Sequence, residues 1–217
     1  RDSEMINVQY RLTNEPSSQT DFDYGLWSHN ELGVPGRLNT YFFPTTDGVR
    51  SFTLYPSKAM TSRETWYRSP ARGWTAVLSD QGTGLAVQVP YRYLNRFYHR
   101  HDGESSAATH EWWLNLVEID AGEDLQFDLT LTPFDGLSRV DGVVGGVVGE
   151  IDGEVRDSTL EVVARLVTSR GPPEASAELR LLSPGDSSDV IHRAVLKTGE
   201  PGRPPLRERA SLSVVAG

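Results

Sequence analysis

Apolar and polar residues alternate along this chain with a period of two. Ile6, Val8, Tyr10 and Leu12 are interleaved with Asn7, Gln9, Arg11 and Thr13. Further on, Leu125, Phe127, Leu129 and Leu131 are interleaved with Gln126, Asp128, Thr130 and Thr132. Successive side chains of a strand point to opposite faces, so this spacing predicts half-buried strands, apolar on one face and wetted on the other. Less regular runs of the same kind cover residues 38–43, 49–55, 74–79, 85–89 and 111–119. Turn-forming residues cluster between them, as at Thr46-Asp47-Gly48 and Ser79-Asp80-Gln81-Gly82. No stretch has the pattern of a long amphipathic helix. The expectation is an all-β protein built as an antiparallel sandwich or barrel.

The glycines and valines of residues 142–150 predict either a strand with close backbone approach or an apolar linker. We place a domain boundary there, between an aromatic-rich β-domain over 1–141 and a smaller module over 142–217. Strands are predicted in the second part at 159–168, 177–182, 190–197 and 210–216, with Gly/Pro-rich gaps at 170–173 and 199–205. That spacing suggests a small immunoglobulin-like sandwich acting as a spacer or packing module.

Composition narrows the function. The chain has 217 residues, enough for one large or two small cores. All 5 Trp, 7 Phe and 8 Tyr lie within the first 134 positions. Aromatic rings fill cores, and they are also the platforms on which sugar rings stack. The net charge of −9 argues against nucleic acid, whose phosphates require basic patches, and against anionic membrane surfaces. No apolar run is long enough to span a bilayer as a helix. With 0 Cys, disulfides, thiolate metal sites and cysteine nucleophiles are excluded. The chain opens on Arg1 with no signal-peptide pattern after it, so we expect a piece of a longer protein with neighbouring domains.

Phosphate-binding glycine loops, the zinc-protease helix motif and the nucleophile-elbow motif are all absent. Tyr98-His99-Arg100-His101 has the look of a short metal clip, which His110 or Glu111 would complete. Asp102-Gly103-Glu104-Ser105-Ser106 follows at once, so the pair reads more readily as histidines at the edge of an exposed loop. We expect no metal and no cofactor.

Two stretches carry a family resemblance. The first is Tyr10-Arg11-Leu12-Thr13-Asn14 followed by His29; the second is Glu111, then Ala121-Gly122-Glu123, then Pro133-Phe134-Asp135-Gly136. Over about residues 4–138 the sequence resembles the aldose-epimerase-like (galactose mutarotase-like) supersandwich family. The resemblance implies two large antiparallel sheets with a sugar held on the concave one. Family enzymes are longer and place an arginine and a further histidine upstream of the matched part; this chain has no counterpart to them. Mutarotation needs a general base for the anomeric hydroxyl and a general acid for the ring oxygen. By resemblance Glu111 would be the base and His29 the acid.

Trp27, Asn30, Arg92, Tyr98, His99, His101 and Trp113 are the candidate sugar contacts, because they offer stacking faces and hydroxyl-binding groups. Trp113, two residues from Glu111, is expected on the same face, and Trp112 on the opposite one. The leading expectation is a carbohydrate-binding module for oligo- or polysaccharide. The alternatives are part of a carbohydrate-active enzyme (epimerase, lyase or hydrolase) and a structural surface protein without a small ligand.

Overall fold

The computed structural model describes residues 5–15, 22–24, 27–31, 33–34, 36–54, 63–101, 108–115, 117–156, 159–168, 176–183, 186–197 and 206–213. The first part of the chain runs β1 (Ile6–Thr13), β2 (Phe22–Tyr24), β3 (Trp27–Glu31), β4 (Asn39–Thr45), β5 (Gly48–Leu54), β6 (Arg63–Arg68), β7 (Trp74–Ser79), β8 (Thr83–Gln88), β9 (Leu94–His101), β10 (Ala108–Leu114), β11 (Val117–Ile119) and β12 (Asp124–Asp135). It continues as β13 (Gly142–Val144), β14 (Val147–Arg156), β15 (Thr159–Thr168), β16 (Ser176–Ser183), β17 (Asp186–Lys197) and β18 (Leu206–Ser213). A short 3-10 turn, Tyr91–Tyr93, leads into β9. The protein is all-β, and its ladders are antiparallel.

The largest sheet has the order β1-β12-β8-β7-β4-β5. Its edge ladder pairs the two most regular alternations in the sequence: Val8 faces Leu129, Tyr10 faces Phe127 and Leu12 faces Leu125. Tyr10 and Phe127 stack at 5.1 Å. On the wet side of the same ladder Arg11 pairs with Asp124, which also accepts from Thr13 Oγ1 at 2.7 Å. These hydrogen bonds, from Thr13 first and then Arg11, hold the Asp124 carboxyl below the usual carboxylate range.

A second sheet, β3-β10-β9-β6, lies against one face of the first. The core between them is formed by Tyr41, Phe43, Val77, Val87, Phe97, Trp112, Phe127 and Leu129 with their neighbours. Phe43, wholly buried, stacks on Tyr67 at 4.0 Å and meets Phe97 at 5.9 Å. The other face of the six-stranded sheet is also covered. There Phe42, Trp74, Ala76, Leu78, Ala86 and Phe134 pack with Leu137, Val140, Val143 and Val148. Strand β7 is therefore buried along its whole length, Val77 serving one core and Trp74, Ala76 and Leu78 the other.

Residues 142–150 are a tight hairpin. Val144 pairs with Val147 around Gly145 and Gly146, whose φ values of 56° and 81° are conformations that glycine adopts without strain. The sheet β13-β14-β15-β18 grows from this hairpin, and β16 pairs with β17. Glu150 of β14 is fully buried and accepts from Ser138 N (2.6 Å), Ser138 Oγ (3.0 Å) and Arg139 N (3.4 Å), with Arg165 as its ion-pair partner. It ties the segment leaving β12 to β14 and β15. The run expected over 111–119 is divided at Asn115, whose backbone N–H donates to the Tyr93 carbonyl, so β11 leaves to pair with β2.

Candidate functional site

The sheet β3-β10-β9-β6 has two contrasting faces, and strand alternation decides which residue goes to which. On β9, Phe97, His99 and His101 point inward, and Arg96, Tyr98 and Arg100 point outward. On β10, His110, Trp112 and Leu114 point inward; Thr109, Glu111 and Trp113 share the opposite face. On β6, Tyr67 joins the core, while Glu64, Trp66 and Arg68 take the outer positions. Trp112 and Trp113 thus lie on opposite faces, as their adjacency requires.

Three rungs make up the outer face. The first sets Trp113 beside Arg96 and Arg96 beside Arg68. The second sets Glu111 beside Tyr98 and Tyr98 beside Trp66, and the third sets Thr109 beside Arg100 and Arg100 beside Glu64. Trp66 is 41 % exposed and leans on Tyr98 at 4.2 Å. Its ring meets that of Trp113 edge-on, at 5.5 Å and 61°. The Arg96 guanidinium lies 5.6 Å from the Trp66 ring centre and 6.0 Å from that of Trp113, within cation–π reach of both.

Glu111 is almost completely buried although it belongs to this face. Its Oε1 accepts from Thr109 Oγ1 at 3.2 Å, and its Oε2 from Trp113 Nε1 at 3.4 Å. One indole therefore fixes the carboxylate while its ring stands in the aromatic cluster. Burial, followed by a hydrogen bond to the Glu64 carboxylate, raises the Tyr98 phenol above its ordinary pKa. Tyr98 is a neutral donor near pH 7. Arg100 Nε lies 3.9 Å from Glu64 Oε1.

Strand β3 extends the face by backbone register. His29 occupies the rung opposite Glu111 and Trp27 the rung opposite Trp113. Directly opposed residues have Cβ atoms about 4.5–5.5 Å apart. Register thus brings His29 and Glu111 to one rung of the ladder.

The inner face corrects several expectations. His99 and His101, at the end of β9, are not on an accessible surface; they are 1 % and 0 % exposed. Both follow Phe97 at two-residue steps, so alternation carries them between the sheets, and β9 remains paired to its last residue through the His101–Ala108 rung. His99 packs on Tyr41 at 4.5 Å and on Phe52 at 4.6 Å. His110 lies 6.3 Å from His99 between Phe43 and Phe97, and burial, with a smaller contribution from His99, pushes its pKa down to about 3. Burial likewise pushes the Tyr41 phenol up to about 12.

Glu111 faces away from these histidines and cannot complete a metal clip with them. Among the described residues no group of three or more His, Cys, Asp or Glu has the arrangement of a metal site. Asn30 holds the rung opposite His110. Arg92 sits on the turn before β9 with its guanidinium 4.5 Å from the Tyr93 ring centre, and no described contact joins it to Trp66 or Trp113. Of the expected sugar contacts, Tyr98 and Trp113 belong to the outer cluster, and Trp27 is the register partner of Trp113.

Trp66, Arg68, Arg96 and Glu64 complete the surface, and the β6 strand that carries three of them was not expected. The signal for three of them was the interval of two in Glu64-Thr65-Trp66-Tyr67-Arg68. It was obscured because both faces of β6 are polar or aromatic, and the apolar–polar contrast that marks a strand is missing.

No protein-family model matches the chain. A comparison with curated proteins returns no match. Among solved structures, the chain is similar to the Slr1438 protein of Synechocystis sp. PCC 6803, with a TM-score of 0.48 and 8 % identity over 61 % of this chain. The similarity spans about half of that protein's length, 51 %.

Proposed function

We propose that this chain is a carbohydrate-recognition module that binds an oligo- or polysaccharide on the outer face of the β3-β10-β9-β6 sheet. One observation carries the reading: the indoles of Trp66 and Trp113 stand together on a face that also presents the Glu64 carboxylate and guanidinium groups. Indole faces stack on the C–H faces of pyranose rings, and the charged groups exchange hydrogen bonds with ring hydroxyls. The resemblance of residues 4–138 to the galactose mutarotase-like family agrees with that use of a sheet face. The strands after Gly142 serve in this reading as an immunoglobulin-like packing module.

Affinity electrophoresis through gels containing polysaccharides tests the proposal. The wild type is expected to be retarded, and the Trp66→Ala and Trp113→Ala proteins to run freely. A folded wild type that passes every polysaccharide gel without retardation would leave a structural, ligand-free role in its place.

The His29–Glu111 rung favours a second reading, in which the same face catalyses a reaction on a sugar. In mutarotation Glu111 would take the proton of the anomeric hydroxyl while His29 protonates the ring oxygen. Polarimetry on fresh α-anomers of aldoses measures this directly. The Glu111→Gln protein is expected to lose the activity, and an unaltered rate would remove Glu111 as the base.

A further inference from the structure

The Trp113 rung contains a feature that a neutral sugar does not explain. Arg96 and Arg68 are direct cross-strand neighbours on the outer face. Like charges placed opposite one another destabilise a sheet. Among the described residues neither guanidinium has a carboxylate partner. Arg96 Nε donates to Asn95 Oδ1 at 2.6 Å, which steadies that side chain without neutralising it. The carboxylates within the face are otherwise engaged, Glu64 with Arg100 and Tyr98, and Glu111 with Thr109 and Trp113.

Two uncompensated guanidiniums therefore sit side by side in a chain whose net charge is −9. Acidic residues are plentiful, yet none of the described ones forms an ion pair with either arginine. Guanidinium is the side-chain group best matched to a planar carboxylate, which it binds through two parallel N–H···O bonds. The aromatic cluster that would hold the sugar ring adjoins the pair directly, since Arg96 lies against both indoles.

We propose that Arg68 and Arg96 form a subsite for the carboxylate of an acidic saccharide, so that the ligand of this face is a uronic-acid-containing chain. The inference rests on the carbohydrate-recognition reading of the same face. It adds the charge of the ligand and assigns two residues to sensing it. The aromatic cluster supplies contact with any pyranose; the arginine pair discriminates between a C6 carboxylate and a C6 hydroxymethyl.

The experiment compares each of three uronans (polygalacturonate, alginate and glucuronan) with its own carboxyl-reduced, neutral counterpart, using oligosaccharides of matched length and titration calorimetry. The wild type is expected to bind at least one uronan about tenfold or more tightly than its reduced form, since a charge-assisted hydrogen bond contributes about 1.5–3 kcal/mol. That preference should shrink as salt is raised. Arg68→Gln and Arg96→Gln should each weaken uronan binding about tenfold and weaken binding of the reduced polymer by a much smaller factor. Trp66→Ala should weaken both.

Equal affinity for a uronan and its reduced form overturns the acidic-ligand proposal and leaves the sugar reading intact. Failure of the folded wild type to bind either polymer of every pair, together with free passage through the neutral polysaccharide gels, overturns both. Thermal unfolding without ligand adds an independent check. Arg68→Gln should raise the midpoint by relieving the like-charge contact, and a lowered midpoint would make the pair structural and overturn the subsite.

Discussion

The two faces of the β3-β10-β9-β6 sheet are made of similar residues and meet opposite surroundings. Each carries aromatic rings interleaved with groups able to bear charge. On the inner face those groups are imidazoles: His99, His101 and His110 are each no more than 1 % exposed among Tyr41, Phe43, Phe52 and Phe97. On the outer face they are guanidiniums and carboxylates: Arg68, Arg96, Arg100, Glu64 and Glu111. The difference follows from what each group can shed. An imidazole becomes neutral by losing one proton near neutral pH and can enter a core in that form. A guanidinium cannot lose its charge, so it stays where water or an anion can reach it. The inner face is therefore packed in the core and the outer face is the one proposed for recognition, although both would pass as polar aromatic surface in the sequence.

The largest effect should come from breaking the inner face. Phe43 is wholly buried and touches Phe52, Tyr67, Phe97 and His110. Phe43→Ala is expected to cost about 3–5 kcal/mol of stability in urea titrations. Polysaccharide binding should then disappear only together with the fold. Intact stability in this variant would mean that the inner rings do not form a packed core.

A smaller effect is expected from acid. The His110 imidazole titrates near 6.5 in the unfolded chain and at about 3 in the folded protein. Between those values the unfolded state binds the extra proton. The contribution of His110 is thus complete above about pH 6.5, is lost progressively as pH falls toward 3, and changes little below that. The limiting slope for one proton is about 1.4 kcal/mol per pH unit. His110→Phe keeps a ring beside Phe97 and removes the titration, so its stability should depend less steeply on pH between 6 and 4. Parallel stability–pH curves for the two proteins would show that acid acts elsewhere.

The smallest stability effect belongs to the outer face. Trp66 is partly exposed and packs along the sheet surface on Tyr98 and Trp113. Trp66→Ala is expected to cost no more than about 1 kcal/mol, near the contribution of a single aromatic pair, while abolishing retardation in polysaccharide gels. A loss of stability comparable with that of Phe43→Ala would erase the distinction between the two faces.

Much of the architecture was legible because alternation and burial agreed. The β1–β12 ladder joins the two cleanest period-two runs rung by rung, and the run at 74–79 is β7 to the residue. Legibility failed where polarity and burial part company. His99 and His101 look like surface residues, and the Gly-Glu-Ser-Ser that follows them reinforces that impression. Their depth is set by Phe97 two and four positions earlier and by sheet partners far away in sequence. Strand β6 failed for the converse reason: Trp66 is a large apolar residue on the wet side, flanked by Glu64 and Arg68. The cross-strand meeting of Arg68 with Arg96, on which the charge of the proposed ligand depends, is a matter of register, and alternation along one strand does not encode register with another.

The buried Glu150 has a mechanical consequence. Its carboxylate is held by the backbone and hydroxyl of Ser138, the backbone of Arg139 and the guanidinium of Arg165, while Asp141 Oδ2 accepts from Ile151 N at 2.8 Å alongside. Swinging β14 away from the segment that leaves β12 would strip the anion of its Ser138 and Arg139 partners and leave it Arg165 alone, so the junction is not a loose tether. Tension applied at the far end of the chain would pass through this joint as through a stiff strut. It would load the six-stranded sheet, and with it the face proposed to grip a polymer.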